Sequence, residues 1–392
     1  MSIQNHIKDI LSISQRECGF LLHNRAYRLS MIGFPLLVIV FFLTLMNEGV
    51  PTKLPAGIVD LDNTTTSRAM IRQLNAFQTT NIVNYYNNVD EARNAIQKNE
   101  IYAFLYIPKG FSKDLIASRQ PTISYYYSNI SLAAGSLLMR DMTVVTTLGK
   151  AKVGITKLAA LGNSNNQIAT FLQPIVVDSH QLQNPWTNYD VYLSHLVIPG
   201  EIMLFVMLVS TYSLGCELKF KRSRELMAKA HGSILKAVLG KLLPQFISFL
   251  SIFYIFFFII YGVCDYPHEN GVFPLLLLGF LAVLSAQGFG VMMFSIAPSM
   301  RMSMSMCCLW GILSFSLIGT AYPVPSMSPI IKSLSVLFPL RHYYLIFDIG
   351  IFNGFPLHYC WKHILALVIF ALAPMAFLWN MKRSYYHDVY LE

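Results

Sequence analysis

The 392-residue chain is 54% hydrophobic and only 12% charged, against about 25% charged residues in a soluble globular domain. With a mean hydropathy of +0.48 it reads as a polytopic membrane protein. The net charge of +9 is explained better by basic residues flanking spans and meeting anionic lipid than by nucleic acid, which is not expected as a partner. The six Cys (Cys18, Cys216, Cys264, Cys307, Cys308 and Cys360) form no C-x-x-C pair, so zinc and redox motifs are absent. Two unpaired thiols at span ends are a better reading of Cys264 and Cys360 than a disulfide between them.

Taken in order, residues 1–28 are polar and mildly basic, with Lys8, Arg16, Arg25 and Arg28. Ile3, Ile7, Ile10 and Leu11 fall at helical spacing. They predict an amphipathic helix on the inner leaflet, with a frayed terminus as the alternative. No cleavable signal peptide is read here, because the first apolar run, 29–47, has spanning length. Pro35 lies inside it, which membrane helices tolerate.

Residues 48–192 change character. LPAGIVDLD (54–62), NIVNYY (81–86), IYAFLYIP (101–108) and PTISYYYSN (121–129) read as strands. Residues 64–77 and 89–98 read as helices between them. Strand–helix alternation with short connections predicts an α/β domain, inserted between the first two spans and extracytoplasmic. Residues 131–172 read as one long helix or a broken pair, with Leu137, Val144, Ala151 and Leu158 repeating every seven. Asp141 interrupts this seam. A coiled-coil arm and a helix packed on the sheet both fit the pattern.

The second span is 193–215, with Glu201 a few residues inside its outer end. A basic stretch follows at 216–241, holding Lys219, Lys221, Arg222, Arg224, Lys229, Lys236 and Lys241. Further spans are read at 242–263, 272–297 and 302–321. A mixed, Pro-rich segment at 322–360 precedes a sixth span at 361–381, and 382–392 is a tail. The fold class is therefore a six-span α-helical membrane protein carrying an inserted α/β domain. A short basic loop between spans faces the cytoplasm, which puts both termini there. Only Lys332, Arg341 and Lys362 then fall outside, apart from the long 48–192 segment, which is exempt from the charge rule.

Catalytic and cofactor motifs are missing. Gly240-Lys241 is followed by Leu242, so there is no phosphate-cradling loop, and H-E-x-x-H and G-x-S-x-G do not occur. Asp60 and Asp62, with Asn63 and Thr64 after them, read as turn and helix-start chemistry rather than as catalytic or calcium-binding carboxylates. Glu201 is the one acid expected at bilayer depth, either lining a pathway or anchoring at headgroup level. The basic stretch can fold as a short helix broken at Gly232, a handle for a soluble partner through Arg222, Arg224 and Glu225. The alternative is that its charges only fix topology.

Four patterns together resemble one family. PAGIVDLDNTTTSRAMIRQLNAF and VDEARNAIQKNEIYAFLYIPKGFSKDL are two of them. The basic stretch is the third, with Glu217, Glu225-Leu226 and Gly240-Lys241-Leu242-Leu243-Pro244. AYPVPSMSPIIKSLSVLFPLRHYY is the fourth, similar to a re-entrant outer segment. They resemble the permease subunits of type-2 ABC exporters, in the multidrug-exporter branch with a large extracytoplasmic domain. Where that family has Arg-Gly-Thr, this chain has Arg222, Ser223 and Arg224. The resemblance implies a non-enzymatic inner-membrane permease with no cofactor of its own. It pairs with a second permease, identical or a paralogue, and with an ABC ATPase that holds ATP and Mg. A periplasmic adaptor and an outer-membrane channel complete the expected partners. Glu217, Arg222, Arg224, Glu225 and Leu226 are the implied ATPase-coupling residues, and amphipathic or hydrophobic compounds the implied cargo. The 27 Phe, 21 Tyr and 18 Met suit such cargo, though packing and lipid contact explain them equally. A membrane-anchored recognition or signalling module is the alternative, and six spans count against it. A membrane-embedded enzyme is the third reading, and no His or Asp cluster supports it.

Overall fold

The computed structural model describes residues 3–46, 49–117, 119–173, 180, 184, 188–268 and 270–387. It divides into two compact units, Met1–Asn47 with Leu182–Glu392, and Glu48–Gln181. The chain begins with helices α1 (Ile3–His23) and α2 (Arg25–Leu45). The second unit holds β1 (Leu54–Asp60), α3 (Thr65–Asn75), β2 (Thr80–Tyr85), α4 (Val89–Gln97), β3 (Ala103–Ile107), α5 (Phe111–Ile116), β4 (Ser124–Tyr127), α6 (Leu132–Ala160) and α7 (Asn165–Leu172). The first unit resumes with α8 (Tyr189–Lys219), α9 (Ser223–Lys229), α10 (Ile234–Val263), α11 (Val272–Ile296), α12 (Met300–Leu317), α13 (Pro329–Leu337), α14 (Pro339–Phe352) and α15 (Leu357–His387).

Among the described residues, six helices are long and apolar enough to cross a membrane: α2, α8, α10, α11, α12 and α15. Several outrun the predicted spans. The 31 residues of α8 extend about 46 Å at 1.5 Å per residue, well beyond a hydrocarbon core of about 30 Å. The surplus does not fray, because Leu218, with Leu214 one turn before it, is buried in a second apolar core with Ile13, Leu226, Val238 and Tyr385. For the same reason the expected tail at 382–392 is helical as far as His387, with the Tyr385 hydroxyl donating to the Leu214 carbonyl at 2.9 Å. The remaining tail residues lie outside the described set. The predicted 322–360 segment contains α13 and α14, bent against each other by 88°. Pro339 at the start of α14 supplies the break, since proline disfavours helical backbone in the residue before it. In α2 the turn Leu29–Gly33 widens to a π-helix just before Pro35, where the missing proline N–H leaves the i−4 carbonyl unbonded. Cys264 and Cys360 are free thiols, the first exposed and the second buried.

The second unit carries a four-stranded sheet in the order β2-β1-β3-β4. β1 pairs parallel with β2 and β3, and β3 pairs antiparallel with β4. Alternate residues of a strand face opposite sides. Ala56, Ile58, Ala103 and Leu105 pack under α3 and α6, while Val59 and Phe104 meet Ala92 and Ala95 of α4. The long helix therefore packs on the sheet through Leu138, Met142 and Val145, with Val144, Leu148 and Ile155 exposed. Asp141 interrupts the heptad because its buried carboxylate accepts hydrogen bonds from Thr79 and Thr80 at the start of β2.

Asp60 and Asp62 build the β1–α3 turn. Asp60 Oδ1 accepts from the Asp62 and Asn63 amides at 3.0 and 3.1 Å, and Oδ2 from Ser67 Oγ at 2.7 Å. Asp62 Oδ2 accepts from Thr64 Oγ1 at 2.8 Å and from the Ser112 amide and hydroxyl at 3.1 and 2.5 Å. Two of the sequence patterns thus meet in space. Burial works against the Asp62 charge, but the Ser112 and Thr64 hydrogen bonds outweigh it and hold the carboxyl below its ordinary pKa. α5, which carries Ser112, was not anticipated from sequence: six residues are too few for a periodic signal.

Candidate functional site

The basic stretch holds a short helix and a break at Gly232, as its sequence suggests, but the connection it forms is shorter. α8 runs on to Lys219 and α10 begins at Ile234, so the connection is 220–233 rather than 216–241. Lys219 lies on α8, and Lys236 and Lys241 on α10. Lys221, Arg222, Arg224 and Lys229 remain in the crossover, around α9.

Both ends of α9 are fixed by Schellman motifs. At the end of α8 the Arg222 amide donates to the Glu217 carbonyl at 2.8 Å and the Lys221 amide to Leu218 at 3.2 Å, with Lys221 at φ 55°. At the end of α9 the Gly232 amide donates to the Met227 carbonyl at 2.9 Å, with His231 at φ 49°. Leu226 and Met227 on one face of α9, with Ala230 at its C-cap, are buried in the second apolar core. The opposite face exposes Arg224, Glu225, Ala228 and Lys229. A seven-residue helix is marginal by itself; here its buried face positions it.

Beneath α9 lies a buried ion cluster. Arg16 of α1 donates through both terminal nitrogens to Glu217 of α8, each at 3.0 Å. Lys241 of α10 reaches Glu217 at 2.8 Å and Glu17 of α1 at 2.5 Å. Side-chain exposure is 3% or less for both acids and the lysine. Glu17 Oε1 also accepts from Tyr27 at 2.8 Å and Ser213 at 3.0 Å, and Gln245 donates to the Tyr27 hydroxyl at 2.6 Å. Two cations and two carboxylates balance, and Tyr27 and Ser213 add hydrogen bonds at Glu17, the kind of compensation that burial of charge requires; Gln245 Oε1 is buried without a partner among the described residues. Burial alone would lower the Arg16 pKa, but the Glu217 hydrogen bond and charge, with Glu225 and Glu17, raise it above its ordinary value. Arg16 Nε also lies 3.4 Å from Glu225, which in turn lies 3.4 Å from Lys229. Arg222 stacks over Phe20 of α1 and over Phe220, 4.7 and 5.2 Å from the ring centroids.

α1 runs beside the first turns of α10. Asp9 pairs with Lys236 at 2.7 Å, and this hydrogen bond lowers the Asp9 pKa. One face of α1, through Ile13, Ser14, Glu17 and Leu21, is buried; Ile7, Leu11 and Leu22 are exposed. The predicted amphipathic helix therefore has a protein-facing side as well as an apolar outer one. Pro244 explains the contact with α10. It has no N–H to donate to the carbonyl of Gly240, and Ser14 Oγ donates to that carbonyl at 2.7 Å instead. Ser14→Ala is expected to cost about 1–3 kcal/mol, the penalty for a buried unpaired acceptor. In a Pro244→Ala background the helix supplies its own donor, so the same change should cost almost nothing. Equal costs in the two backgrounds, measured by thermal unfolding, would refute the assignment.

Of the residues singled out from sequence, Arg224 and Glu225 are exposed and Arg222 half-exposed, while Glu217 and Leu226 are buried. Glu201 is half-buried on α8, away from the cluster, and makes no hydrogen bond or ion pair among the described residues. Arg16, Glu17 and Lys241 were missed as site residues, since their partnership spans more than two hundred positions. The available signal was two acids, Asp9 and Glu17, on an otherwise basic segment, matched by Lys236 and Lys241. Among the described residues no group of three or more His, Cys, Asp or Glu could hold a metal.

A search of curated proteins gives no match. The family model for ABC-2 family transporter proteins matches residues 25–379, which includes α2, α8–α14 and most of α15. The chain is therefore a multi-pass membrane protein belonging to the ABC-2 transporter family, the membrane component of an ABC transporter whose partner is an ABC ATPase.

Proposed function

We propose that the chain is an export permease of the inner membrane, driven by ATP hydrolysed on a separate nucleotide-binding subunit, and that α9 is the element the ATPase pushes. The observation that carries this reading is the two-sided build of α9. Its outer face offers Arg224, Glu225 and Lys229 to a soluble partner. Its inner face and flanking turns are anchored to the ends of α8, α10 and α1 through one apolar core and one ion cluster. Close-packed protein interiors transmit strain rather than absorb it. A push on α9 therefore moves three helices together. Glu217 and Leu226 position α9, Arg222 holds it to Phe20 and Phe220, and Arg224 and Glu225 meet the ATPase.

In this reading both termini and α9 face the cytoplasm and the sheet-containing unit is extracytoplasmic. Two permeases, identical or paralogous, form the pathway, with a periplasmic adaptor and an outer-membrane channel beyond. The cargo is an amphipathic or hydrophobic compound of the multidrug type, and Glu201 faces its path. Replacing Arg224 and Glu225 together with alanine is expected to weaken co-purification of the ATPase. Export should fall by roughly 5- to 150-fold, the range of coupling free energies of about 1–3 kcal/mol. Capture and transport at wild-type levels would refute the coupling role. Cargo-stimulated ATP hydrolysis by the reconstituted complex, screened across drugs, dyes and bile salts, tests the substrate class.

A further inference from the structure

His342 on α14 and His363 on α15 meet at 3.0 Å between their Nδ1 atoms. The ring centroids are 5.3 Å apart, which sets the two nitrogens nearly on the line between the rings. This is the geometry of one hydrogen bond, N–H to lone pair. A shared metal would need lone pairs that converge on a third point. His342 Nε2 lies 2.8 Å from the Val336 carbonyl on α13. A carbonyl only accepts, so His342 Nε2 carries a hydrogen, and in the neutral ring its Nδ1 is a bare acceptor. His363 Nδ1 is then the donor. His342 is 4% exposed, so neither bond is readily exchanged for water.

The proton count sets the behaviour of the pair. In the neutral pair, His363 Nδ1–H donates to His342 Nδ1, and His363 Nε2 is bare. A first added proton binds His363 Nε2, makes that ring an imidazolium and strengthens the bond it donates. A second can bind only His342 Nδ1, where it points at the His363 Nδ1–H, and the bond is lost. Arg341 beside His342, Lys362 beside His363 and Lys332 on α13 are all cationic. α11 carries no titratable side chain, and α12 carries Cys307 and Cys308, with Arg301 in its first turn. α8 carries Tyr189, Asp190, Tyr192, His195, Glu201, Tyr212, Cys216, Glu217 and Lys219, α14 itself Tyr343, Tyr344 and Asp348, and the first turn of α15 His358, Tyr359 and Cys360. Among the described residues no acid is bonded to either ring.

We propose that His342 and His363 form a one-proton latch that fastens the bent pair α13–α14 to α15 and releases it on acidification. His342 is the centre of the latch. It bonds across the 88° bend to Val336 and sideways to His363. The contribution to stability is present at higher pH and is lost as pH falls through the second protonation.

Nitrogen-15 NMR of the histidine-labelled full chain in lipid bilayers tests this, with His342→Gln and His363→Gln spectra assigning the signals. At neutral pH the expected result is one ring with Nε2–H and a bare Nδ1, coupled through the hydrogen bond to a protonated Nδ1 on the other. The coupling should vanish in either variant and in acid. Two Nε2–H rings without coupling, or coupling that survives when both rings are cationic, would overturn the proposal. Amide exchange around 336–345, corrected for intrinsic rates, should rise about tenfold on acidification, the scale of one lost buried hydrogen bond. The double His342→Gln and His363→Gln variant, whose amides donate and accept at any pH, should abolish that rise. An unchanged rise in the double variant would count against the latch. Neither readout depends on transport.

Discussion

Glu217→Ala is expected to destabilise the membrane unit by about 3–5 kcal/mol, the cost of removing one partner from a buried ion pair. Glu217 holds Arg16 through two hydrogen bonds and Lys241 through a third. Without it, Lys241 keeps Glu17 at 2.5 Å. Arg16, with a side chain 8% exposed, keeps only the more distant, solvent-exposed Glu225. The deficit is an uncompensated buried cation, so the loss follows burial more than the number of bonds. Two controls separate these effects. Arg16→Met combined with Glu217→Leu removes both charges and should be less damaging than either single change, since apolar replacement of a whole buried pair is often neutral. Glu225→Ala, at the exposed rim, should alter stability by less than about 1 kcal/mol. Thermal unfolding of the purified chain provides the measurement. A Glu217→Ala variant within about 0.5 kcal/mol of wild type would mean that the cluster is not closed in solution.

How much of this was legible in the sequence depended on distance along the chain. The strands Leu54–Asp60 and Ala103–Ile107 were visible because a sheet buried on both faces needs near-continuous apolar runs. The turn at Asp60 to Ser67 was visible because capping is local chemistry. Helix ends were misplaced wherever polar side chains found partners inside the protein. Lys241 marked the water boundary when read alone, yet it is buried against Glu17 and Glu217, so α10 begins well before the apolar run does. The same holds for Tyr385 at the far end of α15. Glu217 and Glu225 stood out only through the resemblance, at places that match the family's loop. Sequence could not show that one is buried and the other exposed, because that distinction is set by α1, two hundred residues earlier. His342 and His363 carried no pattern at all, since a single proton between two helices leaves no periodicity.

The second large effect is expected at Gly240. A Cβ there would stand 2.8 Å from Ile13 Cβ and 2.9 Å from the Ile10 carbonyl oxygen, both on α1. The first is a stem atom and the second is backbone, so no rotamer change relieves the contact, and α1 must move away from α10. Gly240→Ala should cost about 1–3 kcal/mol by overpacking. Gly240→Val should cost more, because the displacement also lengthens Ser14 to Gly240, Asp9 to Lys236 and Glu17 to Lys241. In the proposed mechanism a displaced α1 leaves α9 in place on its apolar core but breaks its ionic connection to the first helix. Gly240→Val should therefore retain the ATPase and lose export, unlike the Arg224 and Glu225 double variant, in which both fall. Export and capture that stay together in both variants would mean that α1 is a lipid anchor rather than part of the transmission. The Gly-Lys-Leu-Leu-Pro run at the start of α10 then has one physical account: glycine admits α1, lysine joins the two carboxylates, and proline frees the carbonyl that Ser14 bonds.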